Sequence, residues 1–426
     1  MSLPRYPAYK DSGAEWFGKI PAHWHVTALK WLVSMRSGDA ITAESIQDVG
    51  EFSVFGGNGL RGFTSAYTHD GDFVLIGRQG ALCGNINYAS GKFWASEHAV
   101  VVTPIRQVDN VWLGEMLRVM NLNQYSVAAA QPGLSVDAVS RLEIPIPPPV
   151  EQRGIGRFLR RETAKIDVLI TEQGRLIELM KEKRQALISH AVTKGLNPDA
   201  PMKPSGVEWL GDVPEHWLVV SLKRIADVQT GVAKGKDNGS RATITVPYLR
   251  VANVQDGYLD LDNVATIEIP VEDLGRYALK SGDVLMNEGG DFDKLGRGHV
   301  WDGQIDPCIT QNHVFAVRPK RVSSAWLNAI TGCDYAQFYF MTRSKQSTNL
   351  ASISSTNLMD LPVIIPSENE QRSILAFISK HSIKFDTLII EAQRAIDLLQ
   401  ERRSALISAA VTGQIDVRGL SQQEAA

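Results

Sequence analysis

Two stretches of this chain carry apolar residues at helical spacing over about forty positions each. In the first, Ile166, Leu169, Ile170, Leu176, Ile177, Met180, Leu187 and Ile188 fall on steps built from three and four; in the second, Phe385, Leu388, Ile389, Ile396, Leu399, Leu406 and Ile407 do the same. Each begins just after prolines, "IPIPPP" at 144–149 and Pro362 with Pro366, and then runs without another. At 1.5 Å per residue the pattern predicts two helices of roughly 55–60 Å. Gly174 interrupts the first at a cost of about 1 kcal/mol, which so long a helix tolerates. Elsewhere, over 39–150 and 232–366, short runs such as "DFVLIG", "AVVVTPI", "TVPYLRVANV", "DVLM" and "HVFAVRP" alternate with Gly, Asn and Asp clusters. These predict strands and turns, with short helices at Trp112–Met120 and Ser324–Thr331.

The long segments are copies of one another. Glu151–Thr193 and Glu370–Thr412 align without gaps at 22 identities in 43 positions. "SGAEWFGKIPAHWHVTALK" (Ser12–Lys30) recurs as "SGVEWLGDVPEHWLVVSLK" (Ser205–Lys223), and "GDFVLIGRQG…HAVVVTP" faintly parallels "GDVLMNEGG…HVFAVRP". The chain is a tandem duplication. We read its organisation as a block 1–150 with its head at 12–38, a helix 151–195, and a proline-rich linker 196–204. A second block 205–366 with its head at 205–231 follows, then a helix 367–413 and a tail 414–426. The fold class is α+β. A helix this long outruns a single domain, so its simplest partner is the other copy, set antiparallel as a coiled-coil spacer between two mixed α/β domains. Segments that recur should do one job twice; blocks that diverged should recognise two different things.

With 426 residues, 44% hydrophobic and 21% charged, the chain has room for two or three globular domains. Cys83, Cys308 and Cys333 have neither disulfide nor zinc-ligand spacing. No apolar run approaches ~20 residues, and no charged segment followed by an apolar core opens the chain. A cytoplasmic protein that makes no membrane contact is expected. The net charge of −3 hides a segment, 151–203, that carries +4. A DNA-binding role would rest on local basic clusters or on a basic partner.

Motifs of catalysis fail one by one. The nearest proline pairs, in "IPIPPPVE", sit in the wrong context for an adenine methyltransferase loop. "FGGNGLRG" does not follow a nucleotide-binding pattern. "GVAKGK" is one residue short of a phosphate loop, with Asp237 where Ser or Thr should stand. Asp291, Asp293 and Lys294 lack the upstream Pro-Asp of a nuclease. His23 and His25 could bind a metal, but the duplicate keeps His216 and has Leu218 at the second position. His23 and His216, each beside a tryptophan, are better read as orienting the head by hydrogen bonding. No catalytic residue and no metal ligand is assigned.

The heads "W-[FL]-G-x-[IV]-P-x-H-W", the loop "FSVFGGNGLRGF" (Phe52–Phe63) and "VPYLRVANVQDGYLD" (Val246–Asp260) combine with the "P-x-x-x-EQR" entries and "ALIS-x-AVT" exits of both helices. In that order they resemble the specificity subunit of type I restriction-modification systems. The resemblance implies a non-catalytic chain with two target recognition domains, each reading half of a gapped double-stranded DNA site, with the helices setting the gap. It implies docking of two adenine methyltransferase (modification) subunits and, in the full complex, of restriction/translocase subunits. S-adenosylmethionine, ATP and Mg would belong to those partners and no cofactor to this chain. The alternative is a coiled-coil scaffold that joins two proteins without reading DNA.

Base reading needs donors and acceptors in loops that do not recur. The candidates are Asn58, Arg61, Arg78, Gln79, Lys92 and His98 in the first block. In the second they are Lys234, Lys236, Arg241, Arg250, Asn253, Lys294, Arg297 and Asn312. For any one of them the alternative is an ordinary solvated charge or loop amide. Partner docking is expected of recurrent residues off the apolar stripes: Glu151, Gln152, Arg153 and Arg184, matched by Glu370, Gln371, Arg372 and Arg403. Their alternative is helix capping and ion pairing within the chain.

Overall fold

A computed structural model describes residues 3–14, 16–80, 82–126, 133–235, 239–290, 292, 295–346 and 351–420. They form two compact units, Met1–Gly174 with Gln393–Ala426, and Arg175–Ala392. Both long helices form as expected, Pro149–Lys194 and Glu368–Val411. Each contributes its opening turns to one unit and its closing turns to the other.

The first unit is built on an antiparallel sheet in the order Val33–Ser37, Ala99–Pro104, Phe73–Gly77, Ile86–Ala89. Its central strands are apolar at consecutive positions because both faces are covered. Val74, Ile76, Val100 and Val102 pack with Trp112, Leu113, Met116 and Leu117 of helix Asn110–Val119. Leu75 and Val101 face the other way, onto Phe93 and Ala95. The second unit repeats the plan with Ala226–Thr230, Val314–Pro319, Asp283–Asn287 and Gly298–Trp301. Here Val284, Met286, Phe315 and Val317 meet Trp326, Leu327 and Ile330 of helix Ser324–Thr331, while Leu285, Val314 and Ala316 face Leu249 and Trp301.

The antiparallel pairing of helices is visible inside each unit. In the first, Ile155, Phe158 and Leu159 share a core with Ile407, Ala410 and Val411. In the second, Ala191 and Val192 share one with Ile374. The stripes are only partly covered, since Leu169, Leu176 and Leu388 remain exposed.

Two expectations change. The segment read as a tail is part of a core: Ile415 and Val417 are buried in the first unit, and the Asp416 amide donates to the Pro4 carbonyl at 2.8 Å. The linker likewise ends in a strand, Met202–Pro204, paired with Asp212–Pro214, just as Tyr9–Asp11 pairs with Lys19–Pro21. Each long helix is followed by a left-handed glycine, Gly195 (φ +80°) or Gly413 (φ +77°), that brings the chain against the head. A Cβ on Gly413 would overlap Pro21, and one on Gly195 would stand 3.2 Å from the Trp217 ring.

Candidate nucleic-acid interface

In the first unit the hairpin Phe52–Gly56/Gly59–Thr64 is folded over the end of the central sheet. Gly57 allows the approach: a Cβ there would lie 3.1 Å from the His98 carbonyl oxygen and 3.5 Å from that of Gln79. The Arg78 amide in turn donates to the His98 carbonyl at 2.9 Å. Asn58, Arg78, Gln79 and His98 therefore meet on one rim, with exposed Arg61 laid across Gly56. Lys92 does not join them. It stands at the far end of its strand, with Nζ 4.6 Å from the Tyr67 ring centre.

The sequence reading missed two amides on this rim. Asn85 Nδ2 donates to Asn58 Oδ1 at 3.2 Å. Asn87 Nδ2 is buried without a partner among the described residues, and its Oδ1 faces Gly59. The signal available was the pair Asn85 and Asn87 soon after "IGRQG", amides that the matching strand of the second unit, Gly298–Trp301, does not carry.

The second unit has the equivalent rim with different side chains. The Val232 amide donates to Thr310 (2.8 Å), that of Asn312 to Val232 (3.1 Å) and that of Glu288 to His313 (2.9 Å), while the Asn287 amide donates to Arg297 (3.0 Å). Asn312 and Arg297 are thus gathered around the end of Asp283–Asn287, with Lys234 two residues beyond Val232 in the chain. Sheet register makes Glu288 the counterpart of Arg78 and His313 that of His98: Gly77 opposes Ala99, and Asn287 opposes Val314. Glu288 binds His313 at 2.9 Å. The same backbone position offers a cationic donor in one unit and an anionic acceptor in the other.

Three candidates of the second block behave otherwise. Asn253 is buried: its Oδ1 accepts from the Arg250 amide at 2.9 Å, and its Nδ2 donates to the carbonyls of Asp260 (2.9 Å) and Asn263 (3.1 Å). It closes its own turn and has no spare group for a base, which corrects its assignment as a DNA contact. Arg250 is exposed but donates to the Asn263 carbonyl at 3.2 Å. Arg241 is paired with Glu272 at 3.4 Å and Asp273 at 3.8 Å. Lys236 and Lys294 lie outside the described residues.

The recurrent residues turn inward, as the intramolecular alternative holds. Glu151 takes the Trp24 indole N–H at 3.0 Å and the Tyr6 hydroxyl on Oε1, while His23 Nε2 lies 2.8 Å from Oε2. Its counterpart Glu370 is met by His216 Nε2 at 2.7 Å, Trp217 Nε1 at 3.1 Å and Ser367 Oγ at 2.8 Å. Burial pushes the Glu370 carboxyl up, but the hydrogen bonds from His216, Ser367 and Trp217 outweigh it and hold it at about 2. Burial, then the Glu151 hydrogen bond, raise the Tyr6 phenol far above its ordinary value. Gln152 and Gln371 are buried and donate to the Pro147 (2.9 Å) and Pro366 (3.0 Å) carbonyls. Arg184 pairs with Asp386 at 2.6 Å and Arg403 with Asp167 at 2.9 Å; these are duplicate pairs, one in each unit, across the antiparallel helices. Of the expected docking residues only Arg153 and Arg372 remain exposed. Among the described residues no cluster of His, Cys, Asp or Glu is arranged to hold a metal, and no helix is long and apolar enough to cross a membrane.

A duplicated α+β scaffold with diverged loops at equivalent rims defines a protein with two recognition modules. The family described as "Type I restriction modification DNA specificity domain" matches residues 21–179 and again 214–396. The chain belongs to that family and carries its domain twice. It is similar to the type I restriction enzyme EcoprrI specificity subunit of Escherichia coli, at 45% identity over 120 residues; that match covers 27% of this chain and only 30% of the relative. The type I restriction enzyme MjaVIII specificity subunit of Methanocaldococcus jannaschii is 23% identical over 362 residues, 82% of this chain and 80% of that one. A solved structure described as "Structural basis underlying complex assembly and conformational transition of the type I R-M system" shares the fold, with a TM-score of 0.62, 16% identity, and coverage of 92% of this chain and 98% of the other.

Proposed function

We propose that the chain is the non-catalytic subunit that gives a type I restriction-modification complex its DNA sequence. The rim of Asn58, Arg78, Gln79 and His98 reads one half of a gapped duplex site, and the rim of Lys234, Arg297 and Asn312 reads the other. The paired long helices set the gap. The regions common to both copies dock two adenine methyltransferase subunits, which bring S-adenosylmethionine; restriction/translocase subunits bring ATP and Mg. The observation that carries this reading is the pair Arg78 and Glu288. Equivalent backbone positions on a repeated scaffold present opposite hydrogen-bonding characters, as two modules reading different base edges require.

Replacing residues 39–150 by the corresponding block of another family member tests it. Mapping methylated adenine in the host genome should then show one half of a two-part motif changed, with the other half and the gap kept. A change in both halves, or loss of the two-part form, would overturn the assignment. A chain that only joined two proteins would leave the modified motif untouched by the exchange. In the assembled complex, phosphate contacts should also give a steep fall of affinity with salt.

A further inference from the structure

Duplication allows recurrent residues to be sorted by what they do. Glu151/Glu370, Gln152/Gln371, Trp24/Trp217 and Arg184/Arg403 recur because each holds its own unit together. Other recurrent residues stay at the surface, Arg153/Arg372 and Leu169/Leu388 among them, and one such pair is tryptophan. Trp16 is 59% exposed and Trp209 36%, and among the described residues neither indole nitrogen has a hydrogen-bond partner. Each sits on a loop built the same way. The Ser12 amide donates to Gly18 at 2.8 Å and that of Ser205 to Gly211 at 3.1 Å. Ser12 Oγ donates to Ala14 and Ser205 Oγ to Val207, both at 3.1 Å. Gly18 (φ +54°) and Gly211 (φ +64°) take the same left-handed turn. In each copy the next residue, Phe17 or Leu210, packs on the core, so the loop exposes one large apolar residue by construction.

We propose that Trp16 and Trp209 are twin anchors for the partner that binds this chain twice, each receiving an uncharged side chain of a modification subunit. The proposal rests on the function argued above and adds the residues and chemistry of the contact. Exposed tryptophan is scarce on protein surfaces and abundant at the energetic centres of interfaces. The surroundings specify an uncharged visitor at Trp16. A cavity of about 200 Å³ opens beside it, edged by Phe17, Val119 and Met120 and by the polar Asn121, Gln124 and Gln414, and no charged side chain among the described residues lines it. Trp209 stands beside Phe338 and Tyr339, with ring centres 6.2 and 6.1 Å away. Trp31 provides an internal control. It is 61% exposed, but its counterpart is Arg224 and its ring lies under Lys30.

The test combines the full chain with the separately purified adenine methyltransferase subunit of the same host and counts partners by native mass spectrometry. Wild type and Trp31→Ala should carry two. Trp16→Ala and Trp209→Ala should each carry one at concentrations that saturate wild type, and the double variant should lose at least tenfold in affinity at both sites. Unchanged melting temperatures would separate lost docking from lost folding, and Trp16→Glu and Trp209→Glu provide a second pair of variants. Two partners on the double variant, or an equal loss with Trp31→Ala, would overturn the anchors and leave the functional reading standing. So would retained stoichiometry with weakened, salt-sensitive DNA binding. A wild-type chain that takes up no methyltransferase subunit would overturn the functional reading itself, and the anchors with it.

Discussion

Glu151 and Glu370 are the same residue in the two copies, yet they are held differently. The first is buried at 6% exposure and receives Tyr6 as well as His23 and Trp24. The second is 35% exposed and closes a capping box with Ser367, whose amide donates to Oε2 at 3.2 Å. The cause lies three residues upstream. Pro148 stands where Ser367 stands in the second copy, so the first helix cannot cap itself through that side chain; its third donor is instead the Tyr6 hydroxyl, which binds Oε1 rather than Oε2. The fixed element is a carboxylate joining head to helix; what varies is the third donor.

Removing the carboxylates should separate the two copies most. Glu151→Ala strands the Trp24 and Tyr6 donors in a dry site and should cost the first unit about 3 kcal/mol. Glu370→Ala, nearer water, should cost the second about 1 kcal/mol. Urea unfolding followed by hydrogen exchange within each unit measures both, and equal losses would mean that burial does not separate the two sites. Acid gives a smaller effect that belongs to the second unit. The Glu370 carboxyl sits at about 2, below an ordinary glutamate at ~4.3, so the unfolded chain takes up the proton first. Its contribution is complete above the ordinary value and fades as pH falls toward 2. Melting temperatures between pH 6 and 2.5 should fall less steeply for Glu370→Gln than for wild type, and parallel curves would contradict the assignment. Arg184→Ala and Arg403→Ala should do least. Each removes a half-exposed ion pair worth about 0.5 kcal/mol, with the two costs equal and screened by salt; a difference beyond error in thermal melts would mean that the duplicate pairs are not equivalent.

The duplication, the long helices and the apolar central strands were legible in the sequence because each is a matter of local period and self-likeness. What escaped depends on contacts across the chain. "DYAQFYFMTR" is rich in aromatics that favour strands, yet it forms helix Asp334–Arg343, because Tyr335, Ala336, Tyr339 and Phe340 together cover the second core. Asn253 looked like a base reader because amides in loops often are; only the fold reveals that its own turn consumes every group it has. The inward use of Glu151 and Gln152 was left open between docking and capping, since identity in both copies marks a shared task without saying whether it faces in or out.

The packing of Ile415 and Val417 against the first core bears on how the protein is born. Residues 175–392 are contiguous, so on the ribosome the second unit has all its parts once Ala392 has emerged. The first unit begins earlier but lacks Ile407, Ala410, Val411, Ile415 and Val417 until the whole second unit has been made. The half made first must therefore mature after the other, holding an unfinished apolar face while residues 175–392 are synthesised, and a chaperone that follows nascent chains would find its longest-lived target there.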